Sequence, residues 1–347
     1  MPRQPDDAPA GWRPRSRGRL NRWWAAALAI VLAVSVVLVV TRRHDLTEAL
    51  HLISRVRPPD LAVPLLLETL SLVCFAAVQR TLLRSGGVRW SLPRVTGFAV
   101  AGNAMAGTLP GGTAFAALWG YRQLTRRLVE PVLAGVVLAV TGALSGLALL
   151  LLLAVGAVTA GALVGPVLGA GAGLAALALM LLLLARLAGP KLAARRLLAA
   201  GGRRFRRLRR AEDALTRDVD PRAAGGHGVL LSVWLRPFLW ALLYWLCDAA
   251  CLVACCWALG IGPPWHSLLL AYALAQVVGS LRVTPGSLVV FETSLSTLLV
   301  AHGLPSREAI AVTLLYRIFN YWLPQLVGWV CWVAFTARGR HRPAGTR

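Results

Sequence analysis

Glu68, Asp248, Arg282, Glu292 and Arg317 are ionisable side chains set within or beside long apolar stretches. A charge at the centre of a bilayer costs roughly 2.5 to 3.5 kcal/mol on insertion scales, so such residues are functional candidates by default. Arg282 and Glu292 flank Val283-Thr284-Pro285-Gly286, and a second Pro-Gly break, Leu109-Pro110-Gly111-Gly112, lies in another apolar stretch. Proline lacks the N–H and clashes with the preceding turn, and glycine favours non-helical backbone. A helix resuming after each break would aim unpaired N–H groups and a partial positive charge at an anion. On that reading Arg282 and Arg317 are partners of a lipid phosphate, and Glu292 and Asp248 orient them or bind a cationic head group or a proton. The opposing reading is that Glu292 and Arg317 form a buried ion pair that fixes helix packing.

Tyr316 with Asn320, and Arg317 with Tyr321, stand at i,i+4 on neighbouring strips of one helix face and could line a cavity. For Tyr321 and Trp322, anchoring at the membrane interface is the favoured explanation. Asn103, alone in an apolar helix, is expected to hydrogen-bond to another helix more readily than to bind a ligand. Cys247, Cys251 and Cys255 recur at i,i+4,i+8, but no histidine is near them in the sequence, and they read as small hydrophobes instead of metal ligands. No nucleophile elbow, zinc motif or cofactor fingerprint is present, so no enzyme chemistry and no cofactor are expected.

These residues need an apolar scaffold, and the composition supplies one. Of 347 residues 57% are hydrophobic and 15% charged, yet Lys and Arg total 37 against 14 Asp and Glu, a formal charge of +23. A soluble domain carries about 25% charged residues. A nucleic-acid-binding protein would interleave its arginines with the fold, whereas here they flank long apolar runs, so no nucleic-acid partner is expected. The expected fold is an all-α, multi-pass membrane domain over residues 23–337, with basic tails at 1–22 and 338–347. Six spans are expected, at Trp23–Val40, Leu61–Gln79, Pro131–Val155, Leu163–Ala185, Trp234–Leu259 and Glu308–Phe335. Val95–Tyr121 and His266–Gly303 hold the two breaks, and each half is short for a span, so both read as re-entrant hairpins.

With the N-terminus in the cytoplasm, segments 1–22, 80–94, 122–130, 186–228 and 338–347 together carry +22 on the cytoplasmic side. The external loops 41–60, 156–162 and 260–265 are nearly neutral. That asymmetry follows the positive-inside rule and places both termini in the cytoplasm. The arginine run Arg203–Arg210 within the 186–228 loop is explained by topology, with attraction to anionic lipid as the alternative. The same order of segments predicts an inverted repeat: span, hairpin and span at about 61–155, then span, hairpin and span at about 234–335 with every direction reversed. Inverted repeats with broken helices place transporter substrates at the repeat interface.

The run Arg282-Val-Thr-Pro285-Gly286-Ser-Leu-Val-Val-Phe291-Glu292, with Tyr316-Arg317, Tyr321-Trp-Leu-Pro324 and Gly328, resembles the transmembrane region of lysylphosphatidylglycerol synthases. Asn103, Leu109-Pro110-Gly111-Gly112 and Tyr121-Arg122 resemble its N-terminal part, and the likeness covers residues 20 to 337. It implies a bacterial inner-membrane protein of a family that includes lipid flippase modules. The substrate-binding candidates are Asn103, Pro110, Gly111, Gly112, Arg122, Arg282, Thr284, Pro285, Gly286, Glu292, Tyr316, Arg317 and Asn320. Two positions depart from the pattern: Thr113 and Ala114 stand where an acidic residue is common, and Ser287 where a second glycine often follows Pro-Gly. No soluble domain of several hundred residues follows Phe335, so aminoacyl transfer is not expected. The expected function is therefore translocation of an anionic or phosphate-linked lipid. The alternatives are a non-transporting partner of a membrane glycosyltransferase or lipid-synthesis enzyme, or an enzyme acting on a lipid-linked substrate.

Overall fold

A computed structural model describes residues 43–108, 112–127, 129–161, 226–280, 287 and 289–340. The predicted spans at 23–40 and 163–185, the basic tail 1–22, the arginine run at 203–210 and both Pro-Gly breaks lie outside these residues. Among the described residues the structure is helical, with no strand. In chain order the helices are α1 Arg43–Ser54, α2 Ala62–Ser85, α3 Leu92–Thr108, α4 Gly112–Arg126, α5 Pro131–Thr159, α6 Gly226–Ala258, α7 Trp265–Ser280, α8 Val290–Ala301, α9 Ser306–Arg317 and α10 Leu323–Arg340. A π-helical turn, Ile318–Trp322, joins α9 to α10.

Four helical segments, Pro58–Ser85, Pro131–Thr159, Trp234–Ala258 and Ser306–Ala337, are long and apolar enough to cross a membrane. They correspond to four of the predicted spans. Their ends follow backbone chemistry. Pro131 opens α5, where the missing N–H costs nothing, and Gly161 at φ +64 closes it. Gly260 at φ +71 follows α6 in the same way. Leu65, Leu66, Val132, Leu239, Leu246, Leu326 and Val330 are exposed along these helices, as side chains facing lipid must be.

Two expectations about boundaries change. Residues 41–60 are not simply a loop: Arg43–Ser54 is helical, with Asp45 in its first turn, where a carboxylate suits the helix dipole. At the other end, α10 continues to Arg340, past the expected start of the tail at 338.

Helices α3 and α4, and α7 and α8, occupy the predicted hairpin regions. They hold 17, 15, 16 and 12 residues. At 1.5 Å per residue these helices are about 18 to 26 Å long, short of a ~30 Å hydrocarbon core.

Packing between the two halves is reciprocal. α2 packs along α6, α10 packs along α3, and α5 packs along α7. Each of the last two crossings is permitted by one glycine. A Cβ on Gly328 would lie 2.6 Å from Val100 O, and one on Gly156 would lie 2.7 Å from Leu270 N. Small residues let membrane helices approach to backbone contact. One apolar core gathers Phe98, Leu124, Val137 and Leu144 from α3 to α5, and a second gathers Leu252, Tyr272, Phe291, Leu295 and Tyr316 from α6 to α9. Trp245 borders both, and its indole N–H donates to Ser145 O at 2.8 Å, tying α6 to α5.

Candidate functional site

Asp248 sits on the inner face of α6 with no exposed surface. Its Oδ2 accepts from the Tyr272 hydroxyl at 2.6 Å and the Gln276 amide at 2.8 Å. Its Oδ1 accepts from the Tyr316 hydroxyl and the Asn320 amide, each at 2.8 Å. Gln276 also donates to the Tyr316 oxygen at 2.9 Å, which closes the ring. Four hydrogen bonds fill the usual capacity of one carboxylate. Tyr272 and Gln276 lie one turn apart on α7, and Tyr316 and Asn320 one turn apart across the end of α9, so three helical segments converge on one anion. On α2, which packs along α6, Glu68 is buried as well, and its Oε2 has no hydrogen-bond partner.

A second group adjoins the first. Arg317 is 5% exposed, and its Nε donates to Glu292 Oε1 at 2.7 Å. The guanidinium lies 4.8 Å from the Phe291 ring centroid and 4.3 Å from that of Tyr321, so two aromatic faces flank the cation. Phe291 in turn stacks on Tyr316, centroids 6.2 Å apart, which links the arginine to the Asp248 network. The π-helical turn explains how successive residues serve both groups. A widened turn shifts the side chains that follow, and such turns concentrate at functional sites. Asn320 reaches Asp248, while Tyr321 lies under Arg317 and its hydroxyl donates to Gly107 O of α3 at 3.3 Å. Tyr321 is therefore more than an interface anchor, whereas Trp322 is half exposed.

Beyond the second break α8 begins at Val290, and Val289 and Ser287 hold left-handed backbone at φ 70 and φ 51. Ser287 stands where a second glycine is common in the resembling pattern, and its backbone angle is one that glycine adopts without strain. Its hydroxyl donates to Gly279 O at 2.5 Å, bridging the two arms of the hairpin. Glu292 consequently falls in the first turn of α8, where a carboxylate suits the helix dipole. The chain itself thus supplies an anion both to that N-terminus and to Arg317. Asp248 does not orient an arginine among the described residues: its partners there are two tyrosines and two amides.

The remaining candidates are dispersed. Gly112 opens α4 so close to α3 that a Cβ would lie 2.6 Å from Ala106 O, which explains the glycine. Asn103 is half-buried on α3, with no hydrogen-bond partner among the described residues. Arg122 is exposed on α4. Pro110, Gly111, Arg282, Thr284, Pro285 and Gly286 lie outside the described residues. Sequence reasoning passed over Tyr272 and Gln276. Their signal was available as two polar side chains at i,i+4 in an otherwise apolar helix.

Residues 24–328, which include every residue of both networks, match the lysylphosphatidylglycerol synthase transmembrane region family. The chain belongs to this family. Two UPF0104 membrane proteins of Methanothermobacter thermautotrophicus are 30% identical to it, one over 91 residues and one over 96. These matches cover 26% and 28% of this chain and 27% of each relative, so the chain spans about a quarter of the length of the curated relatives it matches. Membership agrees with a multi-pass membrane protein and with a lipid-related role at the membrane.

Proposed function

We propose that this chain translocates an anionic or phosphate-linked lipid through a site between the Pro110 and Pro285 hairpins. The supporting observation is the pair of joined polar networks, Asp248 with its four donors and Arg317 with Glu292, set among apolar helices from both halves of the chain. Glu292 acts as a resident counter-ion, and a lipid phosphate competes with it for Arg317, with Arg282 as a second cationic partner. The reciprocal packing of α10 on α3 and α5 on α7 supports an inverted repeat, and the short helices support hairpins that enter and leave on one side. The segment charges support cytoplasmic termini, and the setting is a bacterial inner membrane. The partners are membrane lipids, and the chain acts without enzymatic turnover.

The test is movement of head-group-labelled lipids in proteoliposomes, comparing wild type with an Arg282→Ala, Glu292→Ala double variant. Faster movement of anionic than of zwitterionic lipid, lost in the double variant, supports translocation. Equal scrambling of every lipid by both proteins overturns it. The Arg317–Glu292 ion pair, which gives the buried cation a partner within the chain, favours a second reading, a non-transporting partner that holds a lipid or a glycosyltransferase. Co-purification of one stoichiometric enzyme, with no lipid movement, would favour that role.

A further inference from the structure

Arg317, Tyr321 and Gln325 follow one another at i,i+4,i+8 along the last span, a spacing that keeps side chains on one helix face. One end of this row meets Glu292, in the first turn of α8 beyond the second break, through the 2.7 Å ion pair with Arg317. The other end meets Gly107, the penultimate residue of α3 ahead of the first break. Tyr321 and Gln325 both crowd that glycine: a Cβ there would collide with the Gln325 amide nitrogen and lie 3.3 Å from the Tyr321 ring. Bare α3 backbone thus makes room for one amide, and the polar side chains of one span run from one break to the other. Gln325 is 7% exposed, and its Oε1 has no hydrogen-bond partner among the described residues. Methionine would fill similar space without burying an acceptor, so packing alone does not account for the amide. A buried acceptor left empty is costly unless some state of the protein fills it.

We propose that Gln325 is a head-group recognition residue, its Oε1 accepting a hydrogen bond from a hydroxyl of a polyol or sugar head group beside the first break. The inference rests on the lipid-translocation reading for its ligand and adds the class of head group. An acceptor selects a donor. The oxygens of a phosphodiester are acceptors themselves, so the donor has to come from the group beyond the phosphate. An amide carbonyl is uncharged and matches a hydroxyl, whereas an ammonium taken out of water calls for a carboxylate. A site built to hydrogen-bond a hydroxyl strongly rejects analogues that lack it, because its own polar group is then left unpaired. The Arg317 guanidinium lies 4.3 Å from the centroid of the same Tyr321 ring, so phosphate and hydroxyl recognition meet at one side chain.

Binding is read without transport, by thermal unfolding of the purified full chain in detergent titrated with short-chain phosphatidylglycerol, phosphatidylmethanol or phosphatidylethanolamine. The first two carry the same charge and differ in their hydroxyls. Wild type should reach half-maximal stabilisation at several-fold lower phosphatidylglycerol than phosphatidylmethanol. Gln325→Met should bind phosphatidylmethanol as wild type does and lose the preference. Should that variant fold poorly, Gly107→Ala, whose methyl group displaces the amide, should lose the preference as well. No preference in wild type, a preference that survives in the folded variant, or tightest binding of phosphatidylethanolamine overturns the assignment. In proteoliposomes the same preference should appear in the rate of lipid movement. Movement without head-group preference overturns the role of Gln325 and leaves translocation standing. Preference in binding with no lipid movement keeps the role of Gln325 and removes the translocator reading.

Discussion

Arg317 Nε lies 2.7 Å from Glu292 Oε1, which ties the last span to the first turn of the helix that returns from the second break. The arginine side chain is 6% exposed and the glutamate 22%, so the pair is shielded on its cationic side and partly open on the other. Glu292 Oε2 is buried with no partner, so the carboxylate is held by one strong contact and not by a closed network.

Arg317→Met should leave Glu292 as an unpaired charge in apolar surroundings. Removing one partner of a buried pair costs about 3 to 5 kcal/mol, and the partial exposure of Glu292 places this site toward the low end. Thermal unfolding in detergent should show a clear fall in Tm for the single variant. Most of that fall should be recovered in Arg317→Met with Glu292→Leu, where no orphaned charge remains.

Around Asp248, Tyr272→Phe and Tyr316→Phe should each remove one hydrogen bond to a charged acceptor, a loss of about 1 to 2 kcal/mol. Asp248→Asn should cost more than either. Its own NH2 would then face the NH2 of Gln276 or Asn320, turning a favourable contact into a clash of donors. Chemical denaturation of the three variants side by side gives the ranking.

Much of this arrangement was legible in the sequence because lipid imposes simple rules. The long apolar stretches after Pro58 and Pro131, and those holding Asp248 and Arg317, match four long helices. The i,i+4 spacing of Tyr316 and Asn320 set them on one helix face, and both reach Asp248. Tyr272 and Gln276 were missed because an isolated polar residue in an apolar helix has no visible partner until another helix meets it. The positive φ angles of Ser287 and Val289 ahead of α8 were not legible, because neither residue type signals left-handed backbone. The Arg43–Ser54 helix was missed because a short polar helix beside apolar spans has the composition of a loop.

Val289 is β-branched and held at φ 70, where left-handed backbone costs of order 1 to 3 kcal/mol outside glycine. Val289→Gly should therefore raise Tm slightly or leave it unchanged, since relief of strain is offset by the greater freedom of glycine in the unfolded chain. A marked fall in Tm would show that the Val289 side chain matters more than its backbone.

Helix crossings give a sharper contrast. Gly328→Leu should prevent α10 from seating on Val100 and Ala104 and yield little monodisperse protein on size exclusion. Gly135→Ala, within α5 and with open space around its Cβ, should be neutral or stabilise by up to about 1 kcal/mol.

The most direct measurement is the initial rate at which proteoliposomes move a fluorescent anionic phospholipid between leaflets, for wild type, Asp248→Asn, Arg317→Met and the control Gly142→Ala, whose added Cβ meets nothing within 4 Å. A translocator built on these two networks should move the lipid well above protein-free vesicles. Asp248→Asn and Arg317→Met should each slow that movement tenfold or more in folded protein, with Gly142→Ala unchanged. Equal rates for all four proteins, or wild-type movement no faster than in protein-free vesicles, would contradict it.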